Sequence, residues 1–136
     1  MADFKVSYKG DLSTEITHLD SETKILTDAP IDNQGLGRTF SPTDLVASSL
    51  ASCMLTIIAI AANTHNIDIR TMDADITKIM SKTLPRKISQ IDIIIKITGH
   101  FNDKSKKIIE RSAENCPVHH SLHSEININL KINYLN

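Results

Sequence analysis

Two cysteines, Cys53 and Cys116, are the side chains of this 136-residue chain best placed by type to carry chemistry. A thiolate is a nucleophile, a redox centre and a metal ligand, and which of these it becomes depends on how its surroundings shift the thiol pKa. Cys116 stands directly before Pro117. Proline suits the first position of a helix, so Cys116 is expected at the N-cap, where free amides and the positive end of the helix dipole favour a thiolate. The plain alternative is a small residue tolerated at a helix junction. Cys53 lies in an apolar stretch, on one stripe with Val46, Ser49, Leu50, Thr56, Ile57 and Ile60. A cysteine there is by default a small core hydrophobe with a raised pKa. A cation delivered to it would act strongly in such surroundings. Arg38, in the loop just upstream, is the candidate cation, and Asp44 a carboxylate that could orient its guanidinium.

Three imidazoles follow the second cysteine closely: His119, His120 and His123. Cys116 with His119 gives a Cys-x-x-His spacing with a further His one turn later, which are zinc-ligand types. A structural site would need a fourth ligand, and Cys53, the remaining thiol, is awkwardly placed on an apolar helix to supply it. Gly35-Leu36-Gly37 lacks the strand, third glycine or Gly-Lys-Ser/Thr of a nucleotide loop. Ser41 lacks the Gly-x-Ser-x-Gly setting of a hydrolase nucleophile and is better read as a helix cap.

The elements that must position these groups can be read in order. Phe4, Val6 and Tyr8, then Ile16, then Ile25 and Leu26 alternate between turn-like segments, which predicts a meander of about three strands. Pro30, Asn33, Gly35 and Gly37 make Asp28 to Arg38 a loop. Ser41-Pro42 with Asp44 opens a helix expected to run to about His65. It carries no charge from Leu45 to Ala62, the length at which a membrane span must be weighed. Its many Ala, Ser and Thr residues and weak flanks speak against insertion. A soluble helix about 36 Å long with no polar face must instead be covered all round, and a chain of this size has little to cover it with. A second subunit solves that problem.

Ile67 to Met80 and Lys87 to Gly99 read as strands, the latter centred on Ile91, Ile93, Ile95 and Ile97. Asp103 opens a polar helix with a modest stripe at Ile108 and Ile109, and Cys116-Pro117 interrupts it and starts a short one through His123. Ile126, Ile128, Leu130, Ile132 and Tyr134 alternate with polar residues as a half-buried final strand. One α+β domain over residues 1–136 is expected.

The net charge is −1 and the pI near 6.6, with lysines dispersed, so no nucleic-acid partner is expected. Two cysteines are too few for a secreted disulfide framework, and MADFKVSYKG has no signal-peptide pattern. A cytoplasmic protein with no membrane partner is expected.

Ser41-Pro42-Thr43-Asp44-Leu45-Val46-Ala47-Ser48-Ser49-Leu50-Ala51-Ser52-Cys53 and Asn115-Cys116-Pro117-Val118 resemble the two cysteine signatures of the OsmC/Ohr family, the osmotically inducible and organic hydroperoxide resistance proteins. The resemblance extends over nearly the whole chain. It implies an intertwined α+β homodimer with two long apolar helices at its centre, antiparallel sheets wrapped around them, and sites at the subunit interface. It also implies that Cys53 is the peroxidatic thiolate, converted to a sulfenic acid, and that Cys116 resolves it as a disulfide. The family's peroxidases use an arginine from the N-terminal region and a glutamate on the long helix. In this chain no arginine precedes Arg38, Thr43 stands at the glutamate position, and Asp44 is the nearest acid.

The sequence therefore points to a thiol-dependent peroxidase acting on organic hydroperoxides or hydrogen peroxide. Cys53 and Cys116 carry the reaction, with Arg38 and Asp44 as activating groups. No metal or cofactor is expected beyond an external thiol or dithiol reductant. Two other readings stay open. One is a non-enzymatic small-molecule binding or redox-sensing protein on the same scaffold; the other is a zinc protein using Cys116, His119, His120 and His123.

Overall fold

A computed structural model describes residues 1–135 of the chain. The chain forms two compact units, Met1–Val46 and Ala47–Asn136. In the first, β1 (Phe4–Gly10), β2 (Ser13–His18) and β3 (Lys24–Asp28) form an antiparallel meander in sequence order. The β1–β2 turn is tight, with Gly10, Asp11 and Leu12 all at positive φ. Such left-handed turns match the twist of a two-stranded ribbon. Register places Val6 opposite Ile16 and Ile16 opposite Ile25, so these apolar side chains share one face with Phe4 and Tyr8. Phe4, Val6 and Tyr8 are each more than 60% exposed on that face.

After β3 the chain loops through a single 3-10 turn at Ile31–Asn33 and returns to its starting point. The Gly37 amide donates to the Ala29 carbonyl at 3.2 Å, and the Asp28 amide donates to the Phe40 carbonyl at 3.0 Å. Gly35 is required by this return. A Cβ there would lie 1.7 Å from the Ala29 carbonyl oxygen, where no side chain fits.

Helix α1 (Pro42–His65) begins as the sequence predicts. Ser41 Oγ accepts from the Asp44 amide at 3.1 Å while an Asp44 carboxylate oxygen accepts from the Ser41 amide at 2.9 Å, a reciprocal capping box. Its buried positions, Ala47, Leu50, Ala51, Met54, Ile58 and Ala62, fall at helical spacing on one side. Ser49, Ser52, Thr56, Ile60 and Asn63 are exposed. The expectation that the helix lacks a polar face is thus corrected: small hydroxyl and amide side chains occupy one, uncharged and broken by Ile60.

The second unit is built on β4 (Asp68–Met80), β5 (Ile88–His100) and β6 (Asn127–Leu135), in that spatial order. Ile91, Ile93, Ile95 and Ile97 of β5 are at most 1% exposed, so the alternation read in the sequence is the core-facing side of the central strand. β4 pairs with β5 antiparallel, but β6 pairs with β5 in parallel. This departs from the all-antiparallel sheets implied by resemblance. The intervening α2 (Asp103–Glu114) and α3 (Pro117–Ser121) form the crossover that a parallel neighbour needs. α2 is capped by Asn102, whose side chain accepts from the Ser105 amide at 2.8 Å, and buries Ile109 and Ala113.

Candidate active site

Each cysteine is placed by a different helix of the second unit. Cys53 sits midway along α1, one residue before the fully buried Met54, and is itself partly exposed. Cys116 is the N-cap of α3, as Pro117 predicts, and is fully buried. Its sulfur accepts a hydrogen bond from the His119 amide at 3.3 Å. Both thiols are free, and Cys53 lies close enough to Cys116 to raise its pKa. Sequence positions far apart are thus brought into one pair.

The Cys116 thiol is pushed up from its ordinary value, first by burial and further by the neighbouring Cys53, while the His119 and Val118 amides pull it down. The sequence reading of Cys116 as a thiolate favoured by its N-cap is corrected here. The amides are in place, but removing the sulfur from water outweighs them.

Arg38 and Asp44 belong to the first unit. Arg38 is held by Asp28, whose side chain is only 3% exposed. Nε donates to one carboxylate oxygen at 2.7 Å and Nη2 to the other at 3.0 Å, and the Arg38 amide adds a bond of 2.8 Å. Two parallel bonds from a guanidinium to a carboxylate fix its plane as well as its position. The Arg38 side-chain bond holds the Asp28 carboxyl down at about 2 against the opposing effect of burial, and Asp28 in turn raises Arg38. The carboxylate that orients Arg38 is therefore Asp28, which sequence reasoning missed. Its signal was its place at the end of β3, at the mouth of the glycine loop that folds back on it. Asp44, assigned that orienting role from sequence, is engaged instead in the capping box with Ser41.

The histidines do not gather around Cys116. His119 Nδ1 bonds the Glu114 carbonyl at 3.0 Å, His120 Nε2 the Asn115 side-chain oxygen at 3.3 Å, and His123 Nδ1 accepts from the Glu125 amide at 3.0 Å. Among the described residues no three His, Cys, Asp or Glu side chains are grouped so as to hold a metal ion. The zinc reading on Cys116, His119, His120 and His123 lacks an assembled donor set. The short spacing in sequence is spent on a five-residue helix that turns the rings to separate partners.

The family model for OsmC-like protein matches residues 35–131, and the chain belongs to that family. The matched segment includes α1 whole, so the one helix among the described residues that is long and apolar enough to cross a membrane is an element of the family's domain. A protein from Psychrobacter arcticus, provisionally assigned to the osmotic stress induced and detoxification response, is 48% identical over 97% of this chain and 96% of its own, with a TM-score of 0.91. An OsmC-like protein from Mycoplasma pneumoniae shares the fold at a TM-score of 0.84 and 20% identity, over 100% of this chain and 98% of that one. An organic hydroperoxide resistance protein from Legionella pneumophila shares it at 0.78 and 18% identity, over 96% and 94%. A search of curated protein sequences returns no match.

Proposed function

We propose that this protein is a homodimeric thiol peroxidase that reduces organic hydroperoxides or hydrogen peroxide in the response to oxidative stress. The observation that carries the reading is the pair itself: two free thiols, one partly open on a long helix and one buried at a helix junction, near enough that Cys53 raises the pKa of Cys116. Cys53 attacks the O–O bond and becomes a sulfenic acid, and Cys116 displaces its oxygen to give a disulfide. An external dithiol returns both thiols. Similarity to the hydroperoxide resistance protein of Legionella supports this chemistry. Arg38, held by Asp28 within the first unit, is the arginine of this chain to which the resemblance gives the activating role.

Dimerisation is supported by what each unit leaves uncovered. Phe4, Val6 and Tyr8 stand on the outer face of β1, and only a third of the most apolar part of α1 is buried within the chain. Contiguous apolar surface of this kind is seldom left to water.

Intact mass after one equivalent of cumene hydroperoxide tests the chemistry. The wild type should lose two hydrogens, Cys116→Ser should stall as a sulfenic acid, and Cys53→Ser should show no early reaction. A wild-type pair that stays reduced would overturn the peroxidase and leave a binding protein on the same scaffold.

A further inference from the structure

We propose that the tip of the β4–β5 hairpin is a contact site for an anionic lipid bilayer, with Leu84 entering the interfacial layer and the cations around it meeting the headgroups. Lysines are dispersed along the sequence as a whole, but this hairpin gathers cations at one end. Lys78, Lys82, Arg86 and Lys87 all fall between Asp75 and Asp92, a stretch without an acid. Glu125, from the connection into β6, pairs with Lys87 at 2.6 Å, and the four cations outnumber it. On a chain of net charge −1, attraction to a negative surface is thereby concentrated at one place, which also sets the orientation of approach.

The tip is presented by the sheet. β6 begins opposite Gln90, so the end of the hairpin runs past the third strand. Every residue from Lys82 to Lys87 is exposed, and Leu84 is 91% exposed. The loop is closed at its neck by Ser81. The Ser81 amide donates to the Lys87 carbonyl at 2.7 Å, the Lys87 amide donates to Ser81 Oγ at 3.0 Å, and that hydroxyl donates to the Thr83 carbonyl at 3.0 Å. A leucine held out by a loop already closed costs little ordering when it is buried elsewhere.

A single leucine among cations fits a bilayer better than a protein groove. The core of a protein interface is a contiguous apolar patch, whereas Leu84 stands with Lys82, Thr83, Pro85, Arg86 and Lys87, of which only Pro85 is apolar. Lipid closes around one side chain, and long basic side chains lay their stems along it with their charges at headgroup level. A gain of about fivefold in affinity per cation, together with one leucine, makes the contact weak and reversible, half complete near about 1 mM accessible lipid. The expectation of no membrane partner weighed α1 as a span; surface contact at a hairpin tip is a different mode of binding.

Cosedimentation with vesicles of phosphatidylglycerol and phosphatidylcholine in equal parts, beside vesicles of phosphatidylcholine alone, tests the site. The expected result is binding to the anionic vesicles and not to the neutral ones, abolished by salt at about 0.5 M. Affinity should fall about tenfold in Leu84→Ser and about tenfold in Lys82→Glu. Both side chains are exposed, so the variants keep the melting temperature of wild type. The chain has no tryptophan, so Leu84→Trp provides a single reporter whose emission should shift to the blue on binding. No binding to anionic vesicles, or binding that both substitutions leave intact, overturns the proposal. So does equal binding of soluble polyglutamate that Leu84→Ser does not weaken, which would make the tip a docking point for an acidic protein.

Discussion

Asp28 shows how a single buried side chain fixes a cation that the sequence could only nominate. Its carboxyl is held at about 2 by Arg38, against 3.8 when unperturbed. A depressed carboxylate stabilises the fold above its unfolded pKa and loses that contribution as pH falls through the folded one. The melting-temperature advantage of wild type over Asp28→Asn should thus be full above about pH 5 and shrink as pH drops from about 4 toward 2. A gap that stays constant across that range would show that the ion pair contributes no net stability. At this scale the two cysteines could be nominated from sequence because the chain has only two and a thiol is chemically distinctive, and Arg38 because it lies in the loop just before the long helix. The partner of Arg38 was not. Asp28 and Asp44 look alike in sequence, and only the return of the loop decides which of them meets the guanidinium. The direction of the Cys116 shift was also hidden, because an N-cap is visible in Cys-Pro whereas burial depends on residues far along the chain.

That loop is the element on which Arg38 depends, and Gly35 is its tightest point. With a Cβ 1.7 Å from the Ala29 carbonyl oxygen, the Gly35→Ala chain cannot close as it does now. The substitution should lower stability by more than about 2 kcal/mol, read from the urea midpoint. A midpoint within error of wild type would mean that the loop relaxes freely. Helices and strands were largely readable from periodicity: α1 starts at Pro42 and ends at His65, and the isoleucines of β5 face the core. The parallel pairing of β6 was not readable, because its alternation is the same in either orientation and only the α2–α3 crossover sets the direction. The uncharged length of α1 likewise concealed its stripe of Ser, Thr and Asn.

For the whole molecule, the uncovered apolar face of β1 and the open side of α1 lead to one expectation in solution. The protein should run at twice 15.1 kDa by light scattering, with a melting temperature that rises with concentration. A monomeric mass across the micromolar range would refute the dimer. Burial of Cys116 has one more consequence. In the native fold its sulfur is out of reach of solvent, although it sits on the crossover between β5 and β6. An alkylating reagent can therefore reach it only in those moments when this part of the chain opens. Cys116 is thereby an internal clock for local unfolding, and its slow modification beside the more exposed Cys53 measures how often its surroundings open.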